Sequence, residues 1–97
     1  MLKDLEVFVA VVEAGNFSTA ARELDVAVSS VTRRIDGLEA ELGLPLFRRG
    51  TRRLVLTDAG QHFLGTARNV LLELTEARDF LSSSDAEPRG VLTIAAP

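Results

Sequence analysis

Ninety-seven residues, 46% of them hydrophobic, suffice for one domain of ordinary size and are too apolar on average for a disordered chain. No cysteine is present, which excludes both a disulfide framework and a thiolate metal site. The net charge of −3 argues against a polyanionic partner, but residues 33–53 carry six arginines (33, 34, 48, 49, 52 and 53) against Asp36, Glu39 and Glu41, a local +3 that leaves −6 on the remainder. Binding responds to the local field more than to the total.

The apolar residues Leu2, Leu5, Phe8, Val9 and Val12 recur at three and four, which predicts an amphipathic helix to Ala14 that fills the core. Lys3, Asp4, Glu6 and Glu13 interrupt this stretch, unlike a secretory signal, and no apolar run reaches bilayer length. The expected location is the cytoplasm. Gly15 and Asn16 fit a helix stop, and Ser18 fits the N-cap of a second helix over residues 19–24. Ala20 and Ala21 are small enough to let another helix cross closely. Ser18 has two readings: a cap alone, or a cap that also turns backbone N–H groups toward a phosphate.

A third helix is predicted from Ala27 to Leu42, with Val31, Ile35, Leu38 and Leu42 as its buried stripe. At about 100° per residue, Ser29, Arg33, Asp36 and Gly37 fall opposite that stripe, flanked by Ser30, Thr32 and Arg34. Small hydroxyl residues followed by an arginine suit a helix seated in a major groove, where Arg33 can fork onto guanine O6 and N7 or onto phosphate. Asp36 would repel phosphate and marks where the helix leaves the groove. Taken alone, the face reads more readily as a solvated charged surface.

Gly43 and Pro45 end this helix. Residues 48–53 then read as a hairpin with Gly50 and Thr51 near its tip, and Leu54, Val55 and Leu56 as the returning strand. Arg48, Arg49, Arg52 and Arg53 make that tip a positive knob, fit for a narrow minor groove or, alternatively, simply a solvated basic turn. The layout as a whole is mostly α: a winged helix-turn-helix over residues 1–57, with a helix-turn-helix and an arginine-rich wing adjacent in sequence.

Thr57 is expected to cap a long fourth helix over residues 58–82, with Asp58 placed well for the helix dipole. Phe63, Ala67, Val70, Leu74, Ala77 and Leu81 recur at four and three, an a/d seam. A rod of roughly 36 Å is too long for so small a domain to cover, so the seam predicts either a second copy of the chain or a fold-back onto the domain. Residues 83–89 read as a polar hinge. Residues 90–97, with GVLTIAA, read as a strand that opens an absent α/β domain, so the chain is expected to be the front piece of a longer protein.

These residues resemble the DNA-binding domain of the LysR-type transcriptional regulators. The resemblance runs from Leu2 to about Leu81, and its most specific parts are Ala20 and Ala21, LEAELG at residues 38–43, PLF at residues 45–47 and LTDAG at residues 56–60. GVLTIAA resembles the opening strand of that family's effector-binding domain. The resemblance implies a bacterial regulator, commonly a tetramer built as a dimer of dimers. Its linker helices pair, its recognition helices enter successive major grooves of an interrupted dyad, and its wings enter flanking minor grooves. A small-molecule effector is implied only in the absent domain, and no cofactor is expected. Carried over by position, the major-groove readers are Val28, Ser29, Ser30, Thr32 and Arg33, and the wing residue is Arg52 with Arg53 beside it. Arg34 and Arg49 complete the set of residues expected at DNA.

The family usually has Ser, Gln and Pro where this chain has Ala27, Val28 and Ser29. Ala27 removes the side-chain cap, so Asp25, Ser29 or Ser30 must replace it or the helix end is looser. Val28 cannot make the bidentate adenine contact of glutamine; it either touches a thymine methyl from a partly buried position, the favoured reading, or joins the core. Two other classes of function remain to be weighed. A helical interaction protein without a DNA role would show no salt-dependent DNA binding. An enzyme would need a convergent pocket, and the sole histidine, His62, lies on the fourth helix away from other catalytic groups, as a solvent-facing or dimer-edge residue.

Overall fold

The computed structural model describes residues 1–83. The elements in chain order are α1 (Leu2–Ala14), α2 (Phe17–Leu24), α3 (Val28–Leu42) and α4 (Asp58–Ser82), with an extended wing between α3 and α4. Most of the hinge and all of the strand expected at the C-terminal end lie outside the described residues.

Helix α1 is the hub, because α2, α3 and α4 each pack against it. That explains why its buried face differs from the expected stripe. Leu5, Val7, Phe8 and Val11 are buried, Val9 and Val12 only partly so, and Leu2 is exposed. A helix covered from three sides buries more than one amphipathic stripe. Its C-terminal stop is as expected: Gly15 takes φ 86°, a left-handed conformation that suits glycine, and its N–H returns to the Val11 carbonyl.

Around Phe8, which is fully buried, the rings of Phe47 and Phe63 sit with centroids 5.5 and 5.6 Å away, and Phe17 meets Phe47 at 5.8 Å. Tilted and edge-on pairs of this kind add about 0.5–1.5 kcal/mol beyond their burial. The cluster joins α1, α2, the wing root and α4 in one core. Ala20 and Ala21 are buried where α2 meets its neighbours, as their size requires.

The N-cap of α2 is Asn16, not Ser18. Asn16 is extended, and its Oδ1 accepts from the Thr19 N–H at 2.6 Å. Because the left-handed Gly15 already ends α1, the very next residue is free to cap, and α2 starts two residues earlier than the expected 19–24. Ser18 is therefore an exposed residue of the first turn.

The wing is held by a single antiparallel bridge, Phe47 with Leu56, rather than by a returning strand of three residues. Arg48 N–H donates to the Val55 carbonyl at 2.8 Å and Thr57 N–H to the Leu46 carbonyl at 3.0 Å. Gly50 turns the tip at φ 75°. Thr57 caps α4 as expected: its Oγ1 accepts from the Gly60 N–H at 2.9 Å and donates to the Pro45 carbonyl at 2.7 Å.

Candidate nucleic-acid interface

The exposed face of α3 begins without a side-chain cap. Ala27 is extended (φ −73°, ψ 149°), and no side chain replaces the missing hydroxyl. Asp25 instead adopts φ 59° and closes α2, its N–H pointing to the Ala21 and Arg22 carbonyls. The start of α3 is secured by backbone alone, with the Ser30 and Val31 N–H groups returning to the Ala27 carbonyl at 3.0 and 3.3 Å.

Val28 is 43% exposed, which excludes the core reading and leaves it more open than the partial burial favoured from the sequence. It is the first residue of α3, about 50° from the centre of the buried stripe at 100° per residue. Ser29 and Arg33 are exposed, and Ser30 and Thr32 are half-buried at the edges. Arg34 turns the other way: its Nη1 donates to Asp4 Oδ1 at 3.0 Å, tying α3 to the first turn of α1.

The wing meets α3 through carboxylates. Glu39, only 9% exposed, accepts from the Leu46 N–H at 2.6 Å and the Phe47 N–H at 3.2 Å through Oε2. Its Oε1 accepts from Arg49 Nη2 at 2.7 Å, and the same nitrogen lies 3.4 Å from Asp36 Oδ1. Arg49 is thus engaged by two carboxylates of α3. Asp36, expected only to mark the helix's exit from a groove, is a partner of the wing. Arg48, Arg52 and Arg53 are exposed and form no ion pair among the described residues. Together with Asn16, Phe17, Thr51 and Leu54 they line a cleft of about 220 Å³ between the wing and the start of α2. The Thr51 hydroxyl donates to the Arg53 carbonyl and stiffens the tip.

Sequence reasoning missed Glu39 and Gly60. In the sequence Glu39 has no role beyond its charge and its place in LEAELG, although it lies about 70° from the centre of the apolar stripe of α3 and so at its buried edge. A carboxylate there, four residues before a Gly-Leu-Pro turn, is the signal that could have found it. Gly60 carries no side chain because a Cβ would overlap the Leu46 carbonyl oxygen.

The expected seam on α4 divides in two. Phe63 packs against the core and Ala67 is fully buried in it, so both serve this domain rather than a second copy. The N-terminal turns of α4 lie against α1, which claims that part of the seam. Beyond them Leu74 is half-buried and Ala77 exposed, while Val70 is 42% and Leu81 72% exposed. His62 is exposed on the same helix. No helix among the described residues is long and apolar enough to cross a membrane.

The arrangement is that of a winged helix-turn-helix, and comparison with known proteins agrees. Residues 2–61 match the family model for bacterial regulatory helix-turn-helix proteins of the lysR family. The chain is 40% identical over 92 residues to the HTH-type transcriptional regulator CrgA of Neisseria meningitidis serogroup B, covering 95% of this chain and 31% of the relative. To PtxR of Pseudomonas aeruginosa, also an HTH-type transcriptional regulator, it is 41% identical over 96 residues, with 99% and 31% covered. Among solved structures it is similar to a BenM_DBD/catB site 1 DNA complex (TM-score 0.83, 33% identity, 93% of this chain and 99% of that one). A CbnR_DBD-DNA complex is similar too (TM-score 0.77, 40% identity, 81% and 91%). The chain belongs to the LysR family of helix-turn-helix regulators. It spans 31% of the length of these curated relatives.

Proposed function

We propose that this chain is the sequence-specific DNA-binding part of a transcriptional regulator, acting as a dimer and located in the cytoplasm. The observation that carries the reading is the contact between Arg49 and Asp36, which sets the arginine-rich wing directly beside the exposed face of α3. One continuous surface then presents Val28, Ser29, Ser30, Thr32 and Arg33 to a major groove and Arg52 and Arg53 to the neighbouring minor groove. Ser18 stands by for phosphate at the first turn of α2. Arg34 and Arg49 support the surface by tying α3 to α1 and to the wing through their carboxylate partners. The similar BenM and CbnR domains were solved as DNA complexes, which supports the same partner here.

Dimerisation falls to the outer part of α4, where Val70, Leu74, Ala77 and Leu81 continue the seam beyond the reach of the domain. Residues 1–57 serve as the DNA-binding unit, 58–82 as the linker helix, 83–89 as a hinge and 90–97 as the first strand of an effector-binding domain. In the full-length protein that domain binds a small molecule, and the assembly is a tetramer on an interrupted dyad.

Titration of duplex DNA into the chain at several salt concentrations tests the reading. Arg52→Ala is expected to weaken binding and to make the log–log salt slope shallower by about one, because one phosphate-directed charge is lost. An unchanged slope contradicts the role given to the wing.

A further inference from the structure

The wing root, residues 45–47, has its polar backbone groups shared out between two helices. Its N–H groups at Leu46 and Phe47 go to Glu39 on α3, while its Pro45 and Leu46 carbonyls accept from Thr57 at the cap of α4. Glu39 is the only one of these partners that belongs to α3 and has its carboxylate buried within the bracket. Its second oxygen grips Arg49 at 2.7 Å, one residue before the Gly50 turn. A carboxylate holding two backbone donors and one guanidinium fixes both the position of the wing root and the direction in which the tip leaves it. A single neutral acceptor can satisfy at most part of that set.

We infer that Glu39 is a positioning residue for recognition: it sets the distance and angle between the α3 reading face and the Arg52–Arg53 tip, so that both grooves are engaged at once. The inference rests on the DNA-binding reading above. Placing a charged group in a preset geometry is effective because a shift of the supporting element moves the contact off its target. Without the Glu39 bracket, the wing root is held only from the α4 side, by Thr57 and the Phe47–Leu56 pairing, and Arg49 keeps only its longer contact with Asp36. Glu39 itself is almost fully buried, with both carboxylate oxygens engaged within the protein, so it acts through the wing.

Glu39→Gln keeps the size and one acceptor oxygen but loses the charge and the grip on Arg49. The probe is a duplex enriched from a random library by the unaltered chain, footprinted with hydroxyl radical for the minor groove and by guanine N7 methylation for the major groove. The expected result is that Glu39→Gln keeps the major-groove protection and loses the flanking minor-groove protection at a temperature where circular dichroism shows it folded. Arg52→Ala, expected to weaken binding about tenfold in the unaltered chain, should then cost less than about twofold in the Glu39→Gln background. Equal losses in both backgrounds, with unchanged footprints, overturn the positioning role and leave Glu39 a stabilising residue only. An unaltered chain that protects no flanking minor groove overturns the interface reading itself, and the Glu39 role with it. Should Glu39→Gln be unfolded at every usable temperature, Arg49→Gln, which spares both backbone bonds, is read in its place against the same two outcomes.

Discussion

Gly60, in the first turn of α4, lies directly against the backbone of Leu46 in the wing root: a Cβ on Gly60 would overlap the Leu46 carbonyl oxygen and come within 2.9 Å of Leu56 Cδ2. Nothing flexible lies on the backbone side to give way. The start of α4 and the wing root are therefore built as one piece, with Thr57 bonding the same segment.

Gly60→Ala should destabilise the chain by about 1–3 kcal/mol, the usual cost of forcing extra volume into a packed contact. Thermal unfolding followed by circular dichroism checks this, and an unchanged midpoint would mean that α4 can slide away from the wing root without penalty.

The caps make a paired prediction. Asn16→Ala removes the bond to the Thr19 N–H and should cost about 1 kcal/mol, whereas Ser18→Ala, at an exposed first-turn position, should cost far less. Ala27 already has the extended backbone that a capping residue needs, so Ala27→Ser should gain about 0.5–1 kcal/mol. Denaturant unfolding with an unchanged slope separates these effects from changes in compactness.

The two halves of the α4 seam should respond differently. If the outer half pairs two copies as proposed, Leu74→Asp yields a folded monomer, read by sedimentation together with circular dichroism. Phe63→Ala removes a half-buried ring from the cluster around Phe8 and should cost about 2–3 kcal/mol in stability, below the range for a fully buried ring. A Leu74→Asp chain that stays dimeric would place the interface elsewhere.

On α3, Arg33→Ala should cost about 1–3 kcal/mol of binding and relax the preference at one base position, the signature of a guanine contact. A uniform loss over all sequences would make Arg33 a phosphate clamp instead.

The helices were legible in the sequence because their signals are local: spacing of apolar residues, Gly15 and Gly43 as stops, and Thr57 as a cap. What escaped depends on neighbours far along the chain. The buried face of α1 is decided by three packing partners, the burial of Ala67 by where α1 lies, and the role of Glu39 by backbone groups seven and eight residues away. Ser18 looks like a cap only while Gly15 and Asn16 together form the preceding helix stop; one left-handed glycine is enough, which frees Asn16 to cap α2. The exposure of Ser29, Arg33, Arg52 and Arg53, the positions proposed to meet DNA, was readable because they lie opposite apolar stripes or at a turn. That Arg34 and Arg49 are held by carboxylates could be seen only once α1, α3 and the wing were packed together.

The most direct test of the central claim is selection from a random duplex library at two salt concentrations, followed by sequencing. A paired, base-reading module predicts enrichment of two inverted half-sites separated by about one helical turn or a multiple of it, with the preference retained at the higher salt. Binding that disappears with salt and enriches no dyad, or no binding even at low salt, would contradict it.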